Sequence, residues 1–435
     1  MNSTGDTKTN ILYIHSHDTG RYIEPYGYQI PAPSIRRLAE EGVLFRQAFC
    51  CSPTCSPSRA CLASGQSPHS NGMIGLAHLG FRMHDYGTHI IHTLAESGYE
   101  STLIGIHHIV RDTGEIGFDR VVETRGKSVE HNAPAAVDFL EDGPRTPFFL
   151  SVGFSESHRP FHEPGSMEDP RYTLPPHPIP DTPESRREMA GFKASVRVLD
   201  QGVGSVMHAL DESGLAEDTL VICTTDHGIA FPGMKCTLFD GGTGVMLVMR
   251  GPGGFSGGRV LDGLVSQIDI YPTICDLLGI DAPPRLEGRS MMPLIRGERD
   301  EINDQIFTEI NYHVAYDPQR AVRTRRWKYV RRFADRDTQV MCNVDDSPSK
   351  DVWLRHGWQE RRLEREALYD LTFDPNETHN LADDACLAGV LDDMRARLDD
   401  WMRKTNDPLL SGHIAAPEGA RLLDADSLSP SELNR

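Results

Sequence analysis

The chain has 435 residues, enough for one large domain and a smaller one. Its 63 acidic residues outnumber 44 basic ones, and a formal charge of −19 argues against a nucleic-acid backbone or an anionic membrane as the main partner. Nine cysteines lack the regular spacing of a disulfide framework, and no apolar run reaches membrane-spanning length.

The start, MNSTGDTKTN, has no apolar core of signal-peptide length. The expectation is a soluble, reduced, cytoplasmic protein, provided that no presequence precedes it. Residues 10–14 read as a short buried strand running into His15-Ser16-His17-Asp18. Ligand sites of open α/β sheets gather at the carboxyl ends of strands, so His17 and Asp18 are well placed. Residues 33–42 read as a capped amphipathic helix ending at glycine, and 43–49 as the next strand.

That strand delivers the chain to residues 51–73, CSPTCSPSRACLASGQSPHSNGM. Ser and Pro precede a short helical run that stops at Gly65, which puts Cys55 at or just before a helix N-terminus. Unpaired N–H groups and the helix dipole favour an anion there. Arg59, about a turn further on, adds fixed positive charge. A nucleophile at such a position suits attack on a phosphoryl or sulfuryl centre.

Helix and strand then alternate: 89–97 as helix, 100–105 as strand, 134–141 as helix and 148–154 as strand. This pattern argues for a mostly parallel sheet covered by helices. His107 and His108 follow the strand at 100–105, and His158 follows the one at 148–154. The Pro-rich stretch 165–183 reads as a surface loop, and 184–214 as a long helix with core-type apolar spacing. A strand at 220–224 ends in Asp226-His227-Gly228, with Lys235 shortly after. From about Ile306 the pattern changes to alternation typical of antiparallel strands, at 321–324 and 327–330. Residues 387–403 read as a helix, the mixed-charge run 355–365 as a solvated helix face, and the tail after Asp407 as polar and loose at its end. The division expected is 1–305 for the larger unit and 306–435 for the smaller.

Cys55-Ser56-Pro57-Ser58-Arg59, with Leu62-Ala63-Ser64-Gly65, resembles the signature of the type I sulfatases of the alkaline phosphatase superfamily. The likeness extends over about residues 10–407. The closest look is to the N-sulfoglucosamine sulfohydrolases (sulfamidases), on Ser67-Pro68-His69-Ser70-Asn71-Gly72-Met73, Asp226-His227-Gly228-Ile229 and Thr405-Asn406-Asp407-Pro408. The resemblance implies an α/β fold: a mostly parallel central sheet flanked by helices, with a smaller C-terminal antiparallel sheet subdomain.

It also implies chemistry. In that family the signature cysteine, here Cys55, is oxidised by a formylglycine-generating enzyme, and the hydrated aldehyde is the nucleophile. One divalent cation falls to His17, Asp18, Asp226 and His227 together with the Cys55-derived group. Arg59 holds the nucleophile, Lys235 faces the transferring group, and His158 or His108 protonates the leaving group. His107 is a further candidate for binding the substrate. Two departures stand out: His17 replaces the usual first aspartate, and Ile106 replaces the lysine of a Gly-Lys-x-His pattern. Two imidazoles and two carboxylates suit manganese, iron or zinc better than calcium. The implied activity is metal-dependent hydrolysis of sulfate esters or sulfamates, on a small anionic substrate such as a sulfated sugar. The alternative is a phosphonate monoester or phosphodiester hydrolase of the same superfamily. Nothing in the sequence settles oligomeric state, and a homo-oligomer is compatible with it.

Overall fold

The computed structural model describes residues 8–434; Arg435 and residues 1–7, which open the polar start read above, lie outside them. Eight strands form one sheet: β1 (Asn10–Ser16), β2 (Val43–Phe49), β3 (Glu100–Gly105), β4 (Arg120–Val122), β5 (Phe148–Gly153), β6 (Thr219–Thr225), β7 (Leu247–Arg250) and β8 (Arg259–Ser266). Their spatial order is β4-β3-β5-β1-β6-β7-β2-β8. All pairings are parallel except those of β7, which runs antiparallel to both β6 and β2. The carboxyl ends of β1, β2, β3, β5 and β6 therefore open on one edge.

The central strands are mostly apolar because both sheet faces are covered, as parallel sheets require. Every residue of β1, β5 and β6 is buried. Alternate side chains enter opposite cores. Ile11, Tyr13, Phe149 and Ile222 join one cluster, while Leu12, Ile14, Leu150 and Val221 join the other. Each fully buried aliphatic or aromatic side chain contributes roughly 1.5–3 kcal/mol.

Four more strands, β9 (Ile306–Tyr312), β10 (Tyr316–Arg323), β11 (Trp327–Arg332) and β12 (Glu366–Asp370), form a second, antiparallel sheet in the order β12-β11-β10-β9. The helix Ala388–Lys404 covers it with Leu391, Met394, Leu398 and Met402, three to four residues apart on one stripe. The fold class expected from the sequence is the one observed.

Some elements differ from the sequence reading. The helix expected at 134–141 begins earlier, at Val129, and runs through Pro134. The run 355–365 is not a helix. A helix ends at Arg355, Gly357 takes a left-handed φ of 76°, and the chain beyond passes through a single 3₁₀ turn to a bridge between Arg362 and Thr338. The tail is also tied down. The N–H of Arg421 donates to Leu79 O, that of Leu423 to Val314 O, and Lys350 Nζ to Leu428 O.

Candidate active site

The signature segment folds as its residues dictate. The helix Cys55–Ser64 begins at Cys55 after the extended Thr54, and closes at Gly65 with φ 69°. Every residue of this helix is buried. Ser58 Oγ donates to Asp226 O and to Gln267 Oε1, and Gln267 Nε2 donates to Thr225 O at 2.6 Å. The helix start is thereby fixed to the end of β6.

Five potential ligand atoms, from His17, Asp18, Cys55, Asp226 and His227, lie within 4.8 Å of one another. His17 Nδ1 is 2.7 Å from Asp18 Oδ1 and 3.1 Å from Asp226 Oδ2. His227 Nδ1 lies 2.9 Å from Gly228 O, and a proton on that nitrogen donates to the carbonyl. Its Nε2 then presents a lone pair 3.4 Å from Cys55 Sγ and 3.3 Å from Asp18 Oδ1. Burial first, then Asp226 and Asp18 in opposition, leave the His17 imidazole near 4, neutral at ordinary pH.

Both aspartates are charged. Burial works against ionising Asp18, but Lys235 and His17 outweigh it and hold the carboxyl well below the usual range. Asp226 is likewise held low against burial, by His17, His227 and Arg59. Two ionised carboxylates and two imidazole nitrogens thus converge on one buried point, a donor set that fits a divalent cation.

Two fixed cations flank this cluster. Arg59 Nη2 and Nε both donate to Asp226 Oδ2, at 3.0 and 3.2 Å, and Nη2 also reaches Ser16 O at 3.1 Å. Lys235 Nζ donates to Asp18 Oδ2 at 2.9 Å. Asp18 occupies the left-handed region at φ 52° and His108 at φ 67°, conformations a non-glycine residue holds only when its surroundings enforce them. At Asp18 the enforcing contacts are Lys235 and a hydrogen bond from its own N–H to Asp226 Oδ1 at 2.8 Å.

His158 marks the way in. Its side chain is 37% exposed, whereas those of His17, Asp18, Asp226 and His227 are at most 3% exposed. The ring lies 4.5 Å from that of His17, and Nε2 is 3.9 Å from Asp18 Oδ2. His108 lies 5.6 Å from His17, ring to ring, and stacks on His78 at 5.5 Å. His107 is not brought to the cluster. It turns inward, with Nε2 3.0 Å from His89 Nε2. There it lines an internal cavity of about 30 Å³ with Ile106, His15 and one side of Arg59. The Ile106 position therefore faces a mostly apolar void.

Sequence reasoning missed Asp345, His313 and His78. Asp345 Oδ2 forms a 3.1 Å ion pair with Lys235, which overrides burial and leaves the carboxyl at about 2. His313 sits in the same electrostatic neighbourhood, pushed down to about 3 by burial and then by Lys235. Both come from the four-stranded half of the chain and carry no motif. His78 sits in the 3₁₀ turn Ala77–Leu79, within a stretch, residues 76–84, that has no periodicity to place it.

The chain matches the family described as Sulfatase over residues 9–280, and the one described as N-sulphoglucosamine sulphohydrolase, C-terminal, over residues 234–357. It is 31% identical to human N-sulphoglucosamine sulphohydrolase, over 94% of this chain and 92% of that protein. It is 26% identical to a Delta 4,5-hexuronate-2-O-sulfatase of Bacteroides thetaiotaomicron, over 95% and 93% of the two chains. Among solved structures it superposes on a 2-O GAG sulfatase with a TM-score of 0.72 at 23% identity, covering 94% and 95%. A protein solved with its substrate D-glucosamine-2-N,6-O-disulfate gives a TM-score of 0.72 at 16% identity, covering 92% and 99%. At these identities the two superpositions speak for fold.

Proposed function

The chain belongs to the sulfatase family, hydrolases of sulfate esters or sulfamates, and on that premise we propose that it removes sulfate from a sulfated sugar. The observation that carries this reading is the shared buried point of His17, Asp18, Cys55, Asp226 and His227, flanked by Arg59 and Lys235. The names of two relatives that cover most of the chain, a sulfoglucosamine sulfohydrolase and a hexuronate sulfatase, support the sugar.

Cys55 as a thiol is a poor nucleophile here, because burial pushes it well above the ordinary thiol range. The signature segment at the helix start and the family match support conversion to formylglycine, with Sγ standing where an oxygen of the hydrated aldehyde would be. His17, Asp18, Asp226 and His227 would hold the cation, for which manganese, iron or zinc fits the imidazole content. Together the aldehyde hydrate and the cation supply the nucleophile and the Lewis acid.

The remaining work falls to the chain's own side chains. Arg59, bound to Asp226 and Ser16 O, fixes the carboxylate and the helix start in register. Lys235, held between Asp18 and Asp345, offers its ammonium to the transferring sulfuryl group. His158 lies at the opening with Nδ1 2.6 Å from Arg159 O, leaving Nε2 to pass a proton to the departing oxygen or nitrogen. His108 stands behind it as a second imidazole. Apart from Cys55, eight free thiols, seven of them buried, support a reducing compartment such as the cytoplasm.

The test is a matched panel of glucosamine N-sulfate, an aryl sulfate, a sulfated uronate disaccharide and a phosphodiester, run with calcium and with manganese. Peptide mass spectrometry of the Cys55 segment accompanies it. Turnover of a sulfated sugar, by protein whose Cys55 carries the aldehyde, is the expected result. A clear preference for the phosphodiester would replace this reading with the phosphohydrolase one.

A further inference from the structure

A second concave site lies at the seam between the two sheets, and none of the groups around Cys55 lines it. Its volume is about 440 Å³. The wall carries four arginines, Arg21, Arg46, Arg323 and Arg325, against two carboxylates, Asp240 and Asp262. In a chain of net charge −19 this is a local reversal of sign.

Ion pairs occupy three of the four arginines and leave Arg46. Asp240 already serves three cations: Arg21 at 3.4 Å, Arg323 at 2.9 Å and Lys328 at 2.7 Å. Arg325 pairs with Glu301, and its Nη2 reaches only the backbone O of Asp262, at 3.4 Å. Arg46 is half-buried yet has no carboxylate within ion-pair distance among the described residues. Its one hydrogen bond is a long 3.4 Å contact to Tyr26 O. Its guanidinium lies over the Tyr26 ring, 6.0 Å from the centroid, and most of its N–H donors stay unspent. Its planar donors match the paired oxygens of a sulfate, phosphate or carboxylate.

We propose that this pocket is an oxyanion-binding site, separate from the reaction centre, in which Arg46 and Arg325 bind a sulfate, phosphate or carboxylate group. The group comes either as a free inorganic anion or as a substituent of a saccharide. Tyr26, Tyr28 and Gln47 line the same wall and offer ring faces and an amide to a sugar. The inference holds whichever reaction the chain catalyses.

Calorimetric titrations at fixed ionic strength test it, with inorganic sulfate in one arm and a sulfated disaccharide in the other. They use the full-length, metal-loaded chain, Lys235→Gln, and the pair Arg46→Gln/Arg325→Gln. Lys235→Gln should retain one binding event. The arginine pair should weaken that event about tenfold or more, as loss of charge-assisted hydrogen bonds implies. Aryl sulfate turnover by the arginine pair should stay within about twofold, since neither residue touches the reaction centre. Arg46→Lys, which keeps the charge, should restore part of the binding and guards against a folding artefact. Sulfate saturating the site alone identifies a free-anion site; binding of the disaccharide alone identifies a saccharide site. No binding of either probe to Lys235→Gln, or unchanged binding to the arginine pair, overturns the proposal.

Discussion

At His17 the question is which nitrogen faces the carboxylates. Nδ1 meets Asp18 Oδ1 at 2.7 Å and Asp226 Oδ2 at 3.1 Å, and the ring is neutral. With its proton on Nε2, three lone-pair atoms point at one place and repel one another unless a cation sits among them. His17→Ala should therefore weaken divalent-metal binding at least about tenfold, since outer partners of metal ligands alone cost that much. Elemental analysis of dialysed protein reads it directly, and full occupancy in the variant would remove His17 from the ligand set. Residues of this kind were legible in the sequence because each follows a buried strand within two or three positions. Cys55 and Arg59 added a motif of fixed spacing. Asp345 and His313 were not legible: their place beside Lys235 is created by docking one sheet against another, and no local pattern encodes that.

Among the elements, the short helix Pro68–Asn71, strand β9 and the turn after the last long helix are joined by one buried polar network. Glu309 Oε2 meets His69 Nδ1 at 2.5 Å, and Arg320 lies between Glu309 and Asp407. All four side chains are at most 1% exposed, so an unpaired charge here is costly. Burial pushes Glu309 up, but Arg320 and His69 outweigh it and hold it at about 2. Its contribution is thus complete above the ordinary carboxyl value and is lost as pH falls toward about 2. His69 is raised by Glu309 against burial, so its share is complete below the ordinary imidazole value and fades as pH rises through its folded value. Glu309→Gln should cost about 3 kcal/mol near neutral pH and flatten both limbs. Urea midpoints across acid to alkaline pH check this; a variant curve parallel to wild type would refute it. The sequence showed β10 and β11 in part as alternating strands, since period-two patterning is local, and did not single out β9. It misjudged 355–365, where mixed charge resembles a solvated helix until Gly357 breaks it, and the tail, whose anchors are backbone hydrogen bonds without a sequence signature.

Across the whole molecule, the two sheets do not keep separate interiors. Tyr312, Val314, Ala315, Val340 and Cys342 belong to the same apolar cluster as Val43, Cys55, Phe81 and Leu247. Backbone bonds cross as well: the N–H of Glu309 donates to Cys51 O at 2.8 Å, and that of Tyr312 to Ile74 O at 3.1 Å. The second half also supplies Asp345 to Lys235, and Arg323 and Lys328 to the buried Asp240. Burying the larger of these, Tyr312, Val314 and Val340, is worth roughly 1.5–3 kcal/mol apiece, a large share of the roughly 5–15 kcal/mol net stability of an ordinary domain. Asp240 would in addition lose two of its three cationic partners. The segment 1–305, although it contains the complete eight-stranded sheet and all five ligand candidates of the Cys55 cluster, should therefore not hold its native packing alone. Its near-UV circular dichroism should collapse, it should bind a hydrophobic dye, and it should retain no metal after dialysis. Supplying 306–435 as a separate chain should restore the dichroism, because the missing contacts lie at the seam and not in any covalent link. A monomeric 1–305 with a wild-type near-UV spectrum and a sharp thermal transition would show that the larger sheet needs no second half, and that the shared cluster is a docking surface and not a common core.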